Sequence, residues 1–437
     1  MTSAAATLDI RPARALTGSL RVPGDKSISH RYGILGAIAA GRTRLTNLAP
    51  GADVTSTADI FRALHVSITS QTPGTVQIDG RGWAGLRTPG HVLDAGNSGT
   101  TLRLLTGLLA AGAFSAEMTG DASLRRRPMR RVIDPLTAMG ARIESENGHA
   151  PLRIHGRPLT GFEYTLPVAS AQVKSALMLA GLRASGTTCV TEPQATRDHS
   201  ERAFPLFGLS AETTGAGVSV RGGQEATAPE GAELAVPGDP STAAIWASAA
   251  AALPGSSVTL TDVCLNPRRT GFVRTLERMG ARVEVELERG GFDTGAAEPV
   301  GTLRISHGGD ADVVIAPGDV PDLIDELPVL AARAALGGSL EVTGASELRV
   351  KESDRISALV QGFRALGVDA EERPDGFRVT SVRRPTGGIV DAALDHRLVM
   401  AFTIVGLGAT GPTAITGADA VAISYPGFAR DLAALTR

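Results

Sequence analysis

Val22-Pro23-Gly24-Asp25-Lys26-Ser27 returns almost unchanged as Val236-Pro237-Gly238-Asp239-Pro240-Ser241, and each copy opens an Ala-rich helical stretch. Working outward from this duplication, a shorter signature recurs: strands that end on an apolar residue followed by Thr. The threonines are Thr46, Thr119, Thr191, Thr261, Thr343 and Thr416, at intervals of 73, 72, 70, 82 and 73 residues. Self-similarity at a fixed period is the mark of a fold built from repeats. Behind each Thr comes a helix with a Gly stop, as at Met139-Gly140, Met279-Gly280 and Leu366-Gly367, where Gly suits the left-handed turn beyond a helix end. A hairpin pattern follows, over Ala141–Ile154 and over Val368–Val379 with its turn at Pro374-Asp375-Gly376,. A second Ala/Leu-rich helix then leads to the next strand, so each unit reads β-α-β-α-β-β or a permutation of it.

The longest interval contains Glu286–Val300, a Gly/Glu-rich insertion expected to lengthen one hairpin loop. The sixth copy is cut short, and Thr7–Val22 is an orphan strand pair expected to complete it. The fold class is therefore α/β (α+β), with three units per domain. One domain is expected over 23–237 and the other over 1–22 plus 238–437, with the chain crossing near 22–24 and 236–239. Two-domain enzymes of this kind bind ligands in the cleft between domains.

A chain of 437 residues is too long for one core,. Its 43 basic and 45 acidic residues leave a net charge of −2, which argues against a nucleic-acid or membrane-surface protein. Cys189 and Cys264 have no metal-ligand neighbours such as a CxxC, so a reducing compartment and no structural zinc are expected. The start, MTSAAATLDIRPARAL, lacks a basic segment followed by a long apolar core, so no signal peptide is expected. No stretch approaches the roughly 18 apolar residues of a membrane span. The expectation is a soluble, cytoplasmic protein. Only three of the 43 cations are lysines, Lys26, Lys174 and Lys351. Arg serves wherever a generic cation would do, so these three mark places suited to a compact, titratable ammonium, unless they are chance survivals.

The second helices of the six units start at GDKSISHR (24–31), GNSGTTLR (96–103), ASAQVKSA (169–176), GDPSTA (238–243), IDELP (324–328) and DHRL (395–398). Together these starts carry Lys26, Ser27, Arg31, Asn97, Thr100, Arg103, Ser170, Gln172, Lys174, Asp325, Glu326, Asp395, His396 and Arg397. Helix N-termini bind anions through free N–H groups and the helix dipole. Six ordinary caps would explain the Ser and Asp residues, but not the cations, which the dipole disfavours there. Two further segments join them. In LRRRPMRR (124–131) most arginines are expected to be solvated, with one beside Pro128 aimed inward as a bidentate clamp,. In RVKESDRI (349–356), Lys351 and Arg355 are expected on one helical face with Glu352 beside them,. A carboxylate among cations stays ionised yet can exchange protons with a substrate; the bland alternative is an exposed, salt-bridged helix.

VPGDKSISHR, AGNSGTTLR, LRRRPM, ASAQVKSA, RVKESDRI and DHRL, in that order and across essentially the whole chain, resemble the enolpyruvyl transferases, in particular the EPSP synthase family. The resemblance implies two inverse α/β domains, each of three βαβαββ units in pseudo-threefold arrangement, with the active site in the interdomain cleft. It implies transfer of the enolpyruvyl group of phosphoenolpyruvate to the 5-hydroxyl of shikimate 3-phosphate, with release of phosphate, in the shikimate pathway of aromatic amino-acid biosynthesis. No metal and no organic cofactor are implied, and the chain is expected to act as a monomer. By the same resemblance Lys26, Ser27, Arg31, Ser170, Ala171, Gln172, Arg197, Asp325 and Lys351 would bind shikimate 3-phosphate. Lys26, Asn97, Gly99, Arg127, Gln172, Arg355 and Arg397 would hold phosphoenolpyruvate. Asp325, Glu352 and Lys26 would carry the proton transfers, and Gly99 would leave room for the herbicide glyphosate.

The sequence departs from the best-known family pattern at Arg103-Leu104, at Thr196-Arg197-Asp198-His199, at Glu347 and at Ile423. With ASAQVK and DELP these departures look like a second sequence class. Three rival readings stand beside this one. UDP-N-acetylglucosamine enolpyruvyl transferases share the fold and donor but usually carry a reactive Cys in the loop matching Gly120–Pro128, which here has none. A non-catalytic anion-binding scaffold would not need both Asp325 and Glu352. An RNA-processing cyclase would want a basic surface.

Overall fold

The computed structural model describes residues 7–215, 217–229, 231, 233–293 and 297–436. Met1–Ala6 of the N-terminal stretch and positions 294–296 of the insertion lie outside the described residues. The six helix starts are all realised. They begin α1 (Lys26–Ile38), α2 (Gly99–Ala110), α3 (Ala171–Gly181), α4 (Pro240–Ala252), α5 (Leu327–Ala334) and α6 (His396–Gly408). The repeat strands are β1 (Ala40–Thr46), β2 (Ser115–Thr119), β3 (Thr187–Thr191), β4 (Ser257–Cys264), β5 (Ser339–Val342) and β6 (Thr413–Thr416); four end on the repeat Thr, β4 runs on past Thr261 and β5 stops one residue before Thr343.

Each of these strands occupies the same place in one of six small sheets. It pairs in parallel with a strand on one side, and in five sheets it pairs antiparallel with a following hairpin on the other. The Gly stops explain how each helix hands over to its hairpin: Gly140, Gly280 and Gly367 have φ of 98°, 95° and 81°. The 369–373 and 376–380 strands join through Pro374-Asp375, with Arg373 opposite Gly376. The residue after the repeat Thr is left-handed in four copies, at Asn47, Asp262, Gly344 and Gly417. This accounts for the Asn, Asp and Gly found there, the residues that tolerate positive φ.

By contact the chain forms two units, one of 1–23, 238–289 and 299–437, the other of 24–237 with 290–298. The strip 290–298, read from sequence as a hairpin loop of the 238–437 region, groups instead with the 24–237 unit. Its anchor is Arg202, 2 % exposed, which donates to the carbonyls of Gly291 and Phe292 at 3.0 and 2.9 Å. The orphan pair also divides. Thr7–Ile10 does complete the last sheet, antiparallel to β6, but Thr17–Arg21 lies parallel to β4 in another sheet. The duplicated motif explains why: the strand before Val236-Pro237, Glu233–Ala235, likewise lies parallel to β1. Each copy therefore begins as the parallel edge of a first-unit sheet.

Gly24 and Gly238 are required where they stand. A Cβ on Gly24 would lie 1.7 Å from the Asn47 carbonyl oxygen, and one on Gly238 would lie 2.7 Å from that of Asp262. Within the 1–23/238–437 unit, α4, α5 and α6 pack on one another around a core that includes Trp246, Phe272, Phe363 and Phe402. Every residue of α4 is buried, so its Ala-rich sequence shows no polar face.

Candidate active site

Three helix starts interlock within the 24–237 unit. The Asp25 carboxylate caps α1 by accepting the Ile28 N–H at 2.8 Å, which leaves Lys26 as the first helical residue. Lys26 Nζ lies 3.0 Å from Asp53 Oδ2. One turn on, Arg31 is buried; its Nε donates to Ser200 Oγ at 2.8 Å, its Nη2 to Ser175 Oγ at 2.7 Å and its Nη1 to the Ser27 carbonyl at 3.0 Å. Burial pushes the Arg31 guanidinium down to about 10 against the pull of Glu201 and Asp25.

At α2, Ser98 Oγ accepts the Thr101 N–H at 3.1 Å and the Thr101 hydroxyl at 2.7 Å. Gly99 opens the helix beneath two guanidinium groups. A Cβ there would be 2.8 Å from Arg103 Nη1 and 3.3 Å from Arg127 Nη1. Arg127 is the inward arginine of the LRRRPMRR run; its Nη2 donates to Asn97 Oδ1 at 2.9 Å, and Asn97 Nδ2 donates to Asp121 Oδ2 at 2.7 Å. At α3, Ser170 Oγ accepts the Val173 N–H at 3.4 Å, with Ala171 as the first helical residue. Gln172 ties α3 to α2: its Oε1 accepts from Arg103 Nη1 at 2.5 Å and its Nε2 donates to Thr100 Oγ1 at 3.0 Å. Lys26, Arg31, Arg103 and Arg127 thus stand at three helix N-termini, where backbone N–H groups add positive potential. Partly buried Arg197 lies between β3 and the His199–Ala203 helix.

A second set sits in the other unit, around Arg355, which is 2 % exposed. Its Nε donates to Asp395 Oδ2 at 2.7 Å, its Nη2 bonds Glu352, and its Nη1 lies 3.7 Å from Asp325 Oδ1. Asp395 also caps α6 by accepting the Arg397 N–H at 2.9 Å and receives the Ser353 hydroxyl at 3.0 Å. Burial opposes charge on Arg355, but Asp395, Glu352 and Asp325 outweigh it and raise its pKa above the ordinary value. Burial would raise Asp395; Arg355 and His396 hold it below the carboxylate range instead. Burial lowers the Lys351 ammonium, with Asp325 the first group opposing it. The expectation that Lys351 and Arg355 share a helical face does not hold. A single-turn helix ends at Val350, and Asp354 caps a new helix from Arg355 by accepting the Ser357 N–H at 3.1 Å. Glu352 meets Arg355 across that cap. Arg397 follows His396 at the start of α6, and its Nε is buried with no hydrogen-bond partner among the described residues.

The candidate residues therefore fall into two sets: Lys26, Ser27, Arg31, Asn97, Gly99, Arg127, Ser170, Ala171, Gln172 and Arg197 in one unit, Asp325, Lys351, Glu352, Arg355 and Arg397 in the other. Sequence reasoning missed Asp53, Asp121, Ser175 and Ser200, which hold the binding side chains in place. Ser175 lies inside ASAQVKSA and Asp121 in the Gly120–Pro128 loop, while Asp53 and Ser200 lie outside the motifs; only the packing reveals what each of them holds. Among the described residues no group of three or more His, Cys, Asp or Glu is placed to hold a metal ion. No described helix is long and apolar enough to cross a membrane.

Two trios of α/β units, with cations at helix starts in one and a buried cation gathering carboxylates in the other, define the enolpyruvyl transferase class. The enolpyruvyl transferase NikO of Streptomyces tendae matches with a TM-score of 0.77 over 99 % of this chain and 98 % of its own, at 19 % identity, and so shares the fold. The family model for EPSP synthase (3-phosphoshikimate 1-carboxyvinyltransferase) matches residues 10–432. The 3-phosphoshikimate 1-carboxyvinyltransferases of Halorhodospira halophila and Alkalilimnicola ehrlichii are 51 % and 50 % identical, each over 96 % of this chain and over 94 % and 93 % of theirs. The EPSP synthase structure from Acinetobacter baumannii has a TM-score of 0.87 at 41 % identity, covering 98 % of both chains. The chain belongs to the EPSP synthase family.

Proposed function

We propose that this chain transfers the enolpyruvyl group of phosphoenolpyruvate to the 5-hydroxyl of shikimate 3-phosphate and releases phosphate. The observation that carries this reading is the grouping of Glu352, Asp325 and Asp395 around buried Arg355 beside Lys351. An anion-binding scaffold has no use for carboxylates gathered at a cationic site; a reaction that moves protons on anionic substrates does.

In this reading Ser27, Arg31, Ser170, Ala171, Gln172 and Arg197, with Lys351, bind shikimate 3-phosphate. Lys26, Asn97, Gly99, Arg127, Gln172, Arg355 and Arg397 hold phosphoenolpyruvate. Asp325 takes the proton of the 5-hydroxyl as its oxygen bonds the central carbon of phosphoenolpyruvate. Glu352, with Lys26, delivers a proton to the methylene carbon, giving a tetrahedral adduct. The carbon–oxygen bond to phosphate then breaks and a proton leaves the new methyl group, restoring the double bond. The enzyme works in the cytoplasm as a monomer, without metal or organic cofactor.

The test is phosphate release by the purified chain with both substrates and no added metal. Release that requires shikimate 3-phosphate and falls roughly 100- to 10,000-fold in Glu352→Gln supports the reading. Turnover with UDP-N-acetylglucosamine in its place would transfer the chain to the sister activity, and silence with both would sink the catalytic assignment.

A further inference from the structure

Lys174 is the one lysine the reaction does not use, and it is 3 % exposed. It lies in α3, one turn beyond Ser170,. Its Nζ is 2.7 Å from Glu192 Oε2 and 2.8 Å from Glu201 Oε1, and both carboxylates are buried. Glu192 directly follows β3, and Glu201 sits inside the His199–Ala203 helix. One ammonium therefore ties down both ends of the segment that carries Arg197. Glu192 also grips the segment from within, accepting the Thr196 N–H at 3.3 Å and the Thr196 hydroxyl.

The neighbours of this triad extend the same fastening. Ser175, next to Lys174, shares a 2.7 Å hydrogen bond with Ser200, next to Glu201, and both hydroxyls accept from Arg31. Burial alone would lower the Lys174 ammonium; Glu201 and Glu192 outweigh it and hold it above its ordinary value, so it is a fixed charge rather than a proton carrier. Compactness explains the choice of lysine in so arginine-rich a chain: one nitrogen with three donors fits between two carboxylates where a planar fork would not.

We propose that Lys174 is a positioning residue for shikimate 3-phosphate: by clamping Glu192 to Glu201 it holds the 192–201 segment, and with it Arg197 and Arg31, in the binding geometry before the substrate arrives. A segment ordered in advance spares the substrate the cost of ordering it, and small misplacements of binding groups cost about 100-fold. The proposal rests on the functional reading above.

The test is calorimetric titration of the purified full chain with shikimate 3-phosphate alone, followed by steady-state kinetics with phosphoenolpyruvate at saturating shikimate 3-phosphate. Lys174→Met is expected to weaken shikimate 3-phosphate binding about 10- to 100-fold, while the KM for phosphoenolpyruvate stays within about twofold. Thr196→Val leaves the ion triad intact and should give a smaller loss of the same selectivity. If Lys174→Met fails to fold, Thr196→Val and the charge-relieved double variant Lys174→Met/Glu192→Gln decide the matter. Unchanged shikimate 3-phosphate affinity in the folded variants, or an equal loss for both substrates, would overturn the positioning role alone. No binding of shikimate 3-phosphate by the unaltered chain would overturn the functional reading, and this role with it.

Discussion

Replacing Gly99 by Ala perturbs the α2 start at a single defined place. The new methyl carbon would stand 2.8 Å from Arg103 Nη1, closer than carbon and nitrogen tolerate, and 3.3 Å from Arg127 Nη1. Nothing forces the backbone to respond, since Gly99 has ordinary helical geometry. The arginines must give way, and Arg103 has the least room because its Nη1 is engaged with Gln172 Oε1 at 2.5 Å. Losing one hydrogen bond to a charged group costs about 1.5–3 kcal/mol, which is roughly 10- to 150-fold in kcat/KM for phosphoenolpyruvate. Shikimate 3-phosphate should be affected less, because of its binding set only Gln172 meets the displaced arginine, while Ser27, Arg31, Ser170 and Arg197 do not touch Gly99. Folding should not suffer, since Ala is the better helix former by about 1 kcal/mol. Phosphate-release kinetics with each substrate varied in turn, beside a thermal melt, measure all three quantities. An unchanged KM for phosphoenolpyruvate, or a larger effect on shikimate 3-phosphate, would refute the placement of the donor substrate at this helix start.

Other perturbations give distinct signatures. Arg355→Met strands Asp395, which is fully buried, and should destabilise the fold by about 3–5 kcal/mol; an unshifted urea midpoint would contradict the pairing. His30 is fully buried, with Nδ1 2.8 Å from Thr57 Oγ1, and burial lowers its pKa from 6.5 to about 3. The unfolded chain thus takes up this proton first as pH falls, so stability is lost below pH 6.5 and the loss levels off near pH 3. Between pH 7.5 and 5 the loss is about 2 kcal/mol. It should be absent from His30→Gln, and an identical pH slope in the two proteins would count against it. Glyphosate in the millimolar range is expected to slow phosphate release by competing with phosphoenolpyruvate; a rate indifferent to it would contradict the expectation that Gly at position 99, with no side chain beneath Arg103 and Arg127, admits the inhibitor.

Much of this was legible in the sequence because the repeat forces the same local chemistry on each copy. The Gly stops at 140, 280 and 367, the residues after each repeat Thr and the capped helix starts are local backbone requirements, and local requirements leave residues behind. Partner choice leaves much less. Nothing in Thr17–Arg21 states that it pairs with β4 rather than with Thr7–Ile10. The strip 290–298 carries no sign that Arg202, far earlier in the chain, holds its carbonyls. The RVKESDRI segment misled because a helical spacing was read across Asp354, whose side chain ends one element and starts the next. Lys174 could be flagged by its rarity, but its two carboxylates lie 18 and 27 positions downstream and show no motif.

The pairing of Thr7–Ile10 with β6, and of Thr17–Arg21 with β4, sets a schedule for synthesis. These strands are made well before their partners: the one at Thr413–Thr416 follows Thr7–Ile10 by about 400 residues, roughly 20–80 s at ordinary elongation rates,. Residues 24–237 and 290–298 form one unit by contact, so that unit can become compact on the ribosome while Thr7–Ile10 still waits for β6. The nascent chain therefore carries an unpaired N-terminal segment for most of its synthesis. Its polar spacing, Arg11, Arg14 and Arg21 among few bulky apolar residues, suits a segment that must stay free of premature association.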